Sequence, residues 1–446
     1  MEMQIKYAKK DKYPVQEITT GFLPRTVTIP LSQEDNFVCE SIVKEGDEVK
    51  EGQVIAEASR EVYGARAFGV AKIHAPIPGK ILGIKNCSYP NGKQGKAIEI
   101  LLSGSFSYLG KQQSQADFST YSPAMLLKTV SDAGVINTFS TTSYSAFELD
   151  VNKIKNEQNK KLFIRLFDED PSCDTDTTLT RSDFDKIMTG IYITSKICDV
   201  NEIVIAYPKS SNLETMFNLS QKEMFESIPM TFLECDSNIY PAGGKRELSI
   251  SYIKQKKLAA SFEDIMRSCF FTDSSTMVHV YDAVVLKMPL ETINVFVDGD
   301  CLQAKALLKV CVGTSFKAIA KQCGGFVRKL GKIIVNGEIN GVAVNSLDTP
   351  VTKYVKSITF TSHEDSFDRS VSICLRCGRC RSVCKTGLSP DIIFAKVITG
   401  AVVDEAYIQS VDLCTQCGLC SANCPSKLPL AKVIKLLREE RYQNEK

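Results

Sequence analysis

The sequence predicts a multidomain α/β protein, and three patterns predict it. Short strands broken by glycine turns fill residues 25–102. Strand–helix–strand units of the parallel kind follow over residues 119–285. Near the C-terminus, C-x-x-C-x-x-C-x-x-x-C occurs twice, at Cys374, Cys377, Cys380 and Cys384 and again at Cys414, Cys417, Cys420 and Cys424.

Composition bounds the reading. A chain of 446 residues with 43% hydrophobic content supports about three or four packed domains. A net charge of +2 predicts no nucleic-acid partner. Met1 to Pro14 is charged and lacks an apolar h-region, so no signal peptide is expected there. No run of about 18 apolar residues predicts a membrane span. Seventeen cysteines without a secretion signal point to a reducing compartment. With only His74, His279 and His363, the histidines are expected at the surface or in packing, and no Ser/His/Asp or Cys/His constellation is expected.

In chain order, residues 1–24 are expected to be an extended lead-in. Residues 25–102 alternate apolar and polar positions around Gly46 and Gly52, and Asn91-Gly92 predicts a hairpin with a type I′ turn. The pair of half-motifs, Val43 to Ile55 and Ile73 to Leu82, resembles the barrel-sandwich hybrid fold of biotinyl and lipoyl carriers. A carrier shows its lysine at the hairpin tip between the halves. Glu57 to Ala71 has no such tip, which leaves a structural or docking role.

Residues 103–118 are small and polar, a linker. Over residues 119–285, strands at Lys161–Phe167, Glu202–Tyr207 and Met230–Glu234 and helices at Arg181–Cys198 and Asn212–Ile228 predict a Rossmann-like α/β domain. The acidic loop Asp168 to Asp176 follows the first strand. It reads either as part of a ligand crevice or as a solvated loop capping the next helix. Residues 286–358, with strands around the helix Ser315–Cys323 and the turn Asn336-Gly337, predict a β-grasp domain. In residues 359–446 the long spacer between the quartets and helices at Pro390–Ile398 and Leu430–Arg441 predict an α-helical two-cluster ferredoxin domain. The last helix is amphipathic and is expected to pack on the cluster domain rather than lie on a membrane.

The quartet spacing resembles the bacterial ferredoxin motif. Three close thiolates cover three iron corners, and in two-cluster ferredoxins the fourth comes from the other run. One [4Fe–4S] cluster would then take Cys374, Cys377, Cys380 and Cys424, and the other Cys414, Cys417, Cys420 and Cys384. The alternative is two four-cysteine zinc sites, although zinc ribbons favour separated C-x-x-C pairs. Pro425 follows Cys424 as the motif prefers, whereas Lys385 follows Cys384. Arg376, Arg379, Arg381 and Lys385 surround the first quartet. Their charge is expected either to raise that cluster's potential or to dock an acidic partner.

The order of modules resembles the RnfC component of the Rnf electron-transport complex, a ferredoxin:NAD oxidoreductase that couples electron flow to ion pumping. The middle resembles the flavin- and NADH-binding subunit of respiratory complex I. Val27 to Gln33, Val43 to Gly52, Ser346 to Lys353, Cys374 to Cys380 and Cys414 to Cys420 carry the likeness. It implies an electron-transfer subunit with two [4Fe–4S] clusters, peripheral on the cytoplasmic side of the cell membrane. Its partners would be integral membrane subunits and a ferredoxin or another redox protein. The family's glycine-rich loop, G-L-G-G-A-G-F-P-T, is replaced here by Asn137-Thr-Phe-Ser-Thr-Thr-Ser-Tyr-Ser145 without a glycine. Its flavin-side loop, N-G-A-E-C-E-P, stands as Arg165 to Pro171 without the Asn-Gly start. The fold is therefore expected to persist without a working FMN or NAD site. The rival readings are a complete flavin-dependent NADH:acceptor oxidoreductase subunit and a soluble iron–sulfur carrier or adaptor for another enzyme.

Overall fold

The computed structural model describes residues 5–6, 15, 17–35, 37–111, 113–140, 143–209, 211, 213, 224–362, 373–401 and 405–444. Within the first unit, Thr26–Pro30, Gln94–Leu102, Gly79–Ser88 and Glu48–Val49 form an antiparallel sheet in that order. Cys39–Ser41, Val54–Ala58 and Ile73–His74 form a second. Val27 and Ile29 are buried while Thr26 and Thr28 are half-buried, the period of two that a one-sided strand requires. The hairpin at Asn91-Gly92 forms with a different turn from the type I′ expected. Gly92 alone is left-handed (φ +81°), and its N–H donates to Tyr89 O at 2.9 Å. Pro90 fixes its own φ near −65° and so opens the turn, moving the left-handed residue one position on.

The α/β unit is built on four parallel strands in the order Met230–Cys235, Glu202–Pro208, Lys161–Arg165 and Cys269–Asp273. Phe163, Ile164, Val204 and Ile205 are fully buried, as strands covered on both faces must be. The edge strand Cys269–Asp273 is not evident in the sequence reading. The helix expected over Asn212–Ile228 falls largely outside the described residues. The helix expected over Arg181–Cys198 divides into Thr175–Ser182 and Phe184–Cys198.

A six-stranded sheet follows, ordered Ile18–Thr20, Ala306–Cys311, Thr292–Asp298, Ser357–Ser362, Leu330–Val335 and Val342–Val344, with the helix Phe316–Gln322 against it. Two sequence boundaries shift here. The lead-in supplies the edge strand Ile18–Thr20, and Ile5–Lys6 pairs with Ile239–Tyr240. Ser357–Ser362 lies inside the sheet, so that unit runs past residue 358. The barrel and this sheet also share one core, in which Val27, Ile29 and Ile98 join Val295, Phe316 and Phe360.

Two buried lysines fasten the units. Lys353 Nζ donates to Lys72 O at 2.6 Å and Gly134 O at 2.7 Å, and its backbone N–H to Gln33 Oε1 at 2.9 Å. Burial lowers its ammonium to about 8. Lys356 sits between Asp176 and Asp273, contacting Asp273 Oδ2 at 2.9 Å. Both carboxylates are fully buried. The remaining lone pairs are met by Ser275 N–H (3.0 Å) and Oγ–H (2.6 Å) on Asp176, and by Thr276 N–H (2.9 Å) and Oγ–H (2.7 Å) on Asp273. Burial pushes Asp176 up despite Lys356, whereas Lys356 and Arg165 outweigh burial at Asp273 and hold it down. His74 and His279 are both buried, and desolvation holds each down to about 3, so they are packing residues. His363 lies outside the described residues.

Candidate cysteine cluster site

The two quartets sit in a structural repeat offset by 40 residues. In each, the second residue after the first cysteine is left-handed, at Arg376 (φ +54°) and Gln416 (φ +57°), and so is the glycine after the second, Gly378 (φ +72°) and Gly418 (φ +71°). The glycine cap then opens a short helix, Arg379–Ser382 or Leu419–Ala422. The left-handed step turns backbone N–H groups toward sulfur. Arg376 N–H donates to Cys374 Sγ and Gln416 N–H to Cys414 Sγ, both at 3.4 Å, and Leu388 N–H donates to Cys384 Sγ at 3.3 Å. Such donors favour charge on the thiolate. The helices Pro390–Thr399 and Leu430–Asn444 pack together, with Ile393 and Ile434 buried in one apolar cluster.

The chain crosses between the repeats. Cys374, Cys377 and Cys380 line a cavity of about 330 Å³, open mouth included, and the fourth cysteine there is Cys424, from the other run. Pro425, Leu428 and Leu430 supply apolar wall. Cys384 in turn lies with Cys414, Cys417 and Cys420. Burial raises those three thiols, Cys420 to about 12, and the Cys384 thiol adds to the rise in each. A bound metal centre reverses that preference, because a coordinating thiol is deprotonated. Among the described residues no three His, Cys, Asp or Glu side chains are grouped tightly enough to hold a single metal ion. The first four thiols surround a cavity instead of meeting at a point, and a polynuclear cluster spreads its ligands in that way.

The fold treats the two groups unequally. The second is set against the rest of the chain: Tyr240 Oη donates to Cys417 O at 2.7 Å, and Leu419 packs with Tyr240, Val383 and Ile339. Lys385, where the motif prefers proline, pairs with Glu247 at 3.4 Å, and its carbonyl accepts from Arg246 at 3.3 Å. The departure from the motif thus serves the join between units. The first group faces outward, with Cys377 exposed. Two of the four cations expected to charge it are neutralised elsewhere. Arg381 is bidentate to Asp391 (2.7 Å twice), and Lys385 belongs to the interface. Half of the charge expected to raise that cluster's potential is therefore already compensated, and the rest is exposed to screening solvent.

The region of the expected flavin loop is occupied by the protein itself. Asn137 Nδ2 donates to Asp150 and to Phe271 O, both at 2.8 Å. Thr138 N–H donates to Thr276 Oγ at 3.1 Å, and Thr138 Oγ–H reaches Asp273 at 3.0 Å. The buried Phe139 ring packs on Phe271 and lies 4.2 Å from the Arg165 guanidinium. Arg165 donates to Phe167 O, Gly243 O and Phe139 O at 2.8–2.9 Å. Tyr144 stacks on Tyr354 at 4.3 Å. The acidic loop caps the next helix, the second of its two expected roles, but it is buried rather than solvated. Asp168 accepts the N–H groups of Thr175, Asp176 and Thr177 at 3.0–3.1 Å. These residues do not fit an FMN: the polar groups are committed and aromatic rings fill the space. The purified chain is expected to carry no flavin and to leave NADH unoxidised. Stoichiometric FMN by absorbance, or bleaching of the chain's visible spectrum by NADH, is the opposite result.

Residues 5–104 match the family model described as the RnfC barrel sandwich hybrid domain. The chain is 26% identical to the RnfC-type component of the proton-translocating ferredoxin:NAD(+) oxidoreductase complex of Clostridium ljungdahlii, over 83% of this chain and 78% of that one. It is 26% identical to the corresponding component of the ion-translocating oxidoreductase complex of Rhodobacter capsulatus, over 85% and 71%. It is 23% identical to that of the Na(+)-translocating ferredoxin:NAD(+) oxidoreductase complex of Acetobacterium woodii, over 85% and 83%. Among solved structures, an NAD+-reducing [NiFe]-hydrogenase in the H2-reduced state aligns with a TM-score of 0.49 and 11% identity, over 72% of this chain and 64% of that one, a slight likeness. Among the described residues no helix is long and apolar enough to cross a membrane.

Proposed function

This chain is an RnfC-like protein, and from that premise we propose that it is the electron-transfer subunit of an Rnf-like ion-translocating oxidoreductase complex. It acts peripherally on the cytoplasmic side of the membrane, with integral membrane subunits and a ferredoxin or another redox protein as partners. The observation that carries the reading is the crosswise meeting of the two quartets, in a chain whose relatives are named as parts of such complexes. Cys374, Cys377, Cys380 and Cys424 hold one [4Fe–4S] cluster, and Cys414, Cys417, Cys420 and Cys384 the other. When bound, the clusters supply one-electron redox chemistry. The chain's own part is to hold them by eight thiolates, to direct backbone N–H groups at the sulfurs, and to bury one group while presenting the other. The occupied flavin loop makes this a relay without its own NADH site.

Anaerobic affinity purification of the tagged chain from solubilised membranes of its own host tests the assignment. Integral membrane proteins are expected to co-purify in fixed ratio. Recovery of the chain alone, or with a water-soluble enzyme, favours the soluble-carrier reading.

A further inference from the structure

Resting on the electron-transfer reading, we propose that the outward face of the first cysteine group is the docking face for an acidic iron–sulfur protein or domain. The repeat makes the two groups comparable position by position. Gln416 and Leu419 are buried under the join with the rest of the chain. Their counterparts Arg376 and Arg379 face solvent, so charge replaces neutral side chains where the fold leaves the loop uncovered. Beside them Ile373 is 89% and Leu375 68% exposed, and Cys377 is the exposed thiol of the eight. Neither Arg376 nor Arg379 has a carboxylate partner among the described residues, whereas Arg381 and Lys385 are paired within the chain.

Two apolar side chains flanked by two such guanidiniums suit a small transient interface. Charge steers the encounter, and a minor apolar contact holds it. An exposed thiol in its midst marks the shortest approach from solvent to the group, which is where a redox protein gains by sitting. The sign of the rim selects an acidic one. An anionic bilayer is the poorer fit, because surface-binding segments cluster roughly four to eight basic residues.

The test is titration calorimetry of the full, anaerobically reconstituted chain with an acidic bacterial two-cluster ferredoxin as probe, at low and at moderate salt. Binding is expected to weaken as salt rises, and to fall roughly tenfold or more in the Arg376→Glu/Arg379→Glu variant. Lys128→Glu/Lys254→Glu, an equal charge reversal on exposed lysines of the α/β unit, is expected to change it less than about twofold. Iron content is measured on each variant, so that cluster loss is separated from docking. Ferredoxin binding indifferent to the arginine reversal overturns the docking face and leaves the cluster assignment standing. So does arginine-dependent binding to phosphatidylserine vesicles in place of ferredoxin. Absence of iron from the unmodified chain overturns both readings together.

Discussion

Cys424→Ser protein, reconstituted anaerobically, is expected to hold about four irons where the unmodified chain holds about eight, and to lose the same cluster as Cys377→Ser. The reason is the crossing. Cys424 belongs by sequence to the second run, yet it lines the cavity of Cys374, Cys377 and Cys380. Cys384→Ser is correspondingly expected to remove the cluster lost in Cys417→Ser. EPR of the reduced variants decides it, because two clusters in different surroundings give separable signals. A Cys424→Ser spectrum that matches Cys417→Ser refutes the crossing. Zinc near two per chain without visible charge-transfer absorbance refutes the iron–sulfur assignment. Cys39→Ser and Cys311→Ser are expected to keep both clusters, since these thiols contact the carbonyls of Ala71 and Pro76 in the barrel. Cys87→Ser is expected to do so too, because Cys87 lies in the barrel strand Gly79–Ser88.

Lys356→Met is expected to destabilise the chain by roughly 3–5 kcal/mol, the cost of removing one partner from a buried ionic group. The methionine fills most of the volume, so the loss is electrostatic. Asp176 and Asp273 remain buried side by side, and the cation between them is gone. Adding Asp273→Asn is expected to recover part of the loss, because one buried charge is then removed along with the lysine. Denaturant unfolding of both single variants and the double variant gives the coupling directly. If the double variant is no more stable than Lys356→Met, the knot is held by its Ser and Thr hydrogen bonds and not by charge.

How much of the fold and site is legible in the sequence differs from element to element. The quartets are legible because a cluster motif is a matter of local spacing. The repeated left-handed residues Arg376 and Gln416 follow from the same local geometry. The strand Cys269–Asp273 is not legible: its five residues are all buried, and a short apolar run carries no period that separates strand from helix. The lead-in strands Ile5–Lys6 and Ile18–Thr20 are equally hidden, because each exists only through its pairing with a distant partner.

Sequence alone determined what depends on neighbours along the chain. It set the cysteine spacing and the chemistry that spacing favours, the loss of every glycine from the expected flavin loop, the βαβ order and the RnfC-like sequence of modules. Tertiary structure decided what depends on distance in space. It joined barrel and β-grasp sheet in one core and set Lys356 between Asp176 and Asp273. It also filled the flavin region with Phe139 and Arg165, and it sheltered one cysteine group while exposing the other. The physical reason is that burial and charge pairing are sums over every atom nearby. Arg376 and Arg381 look alike in the sequence, and only the Asp391 carboxylate at 2.7 Å makes the second a closed ion pair while the first stays open to a partner.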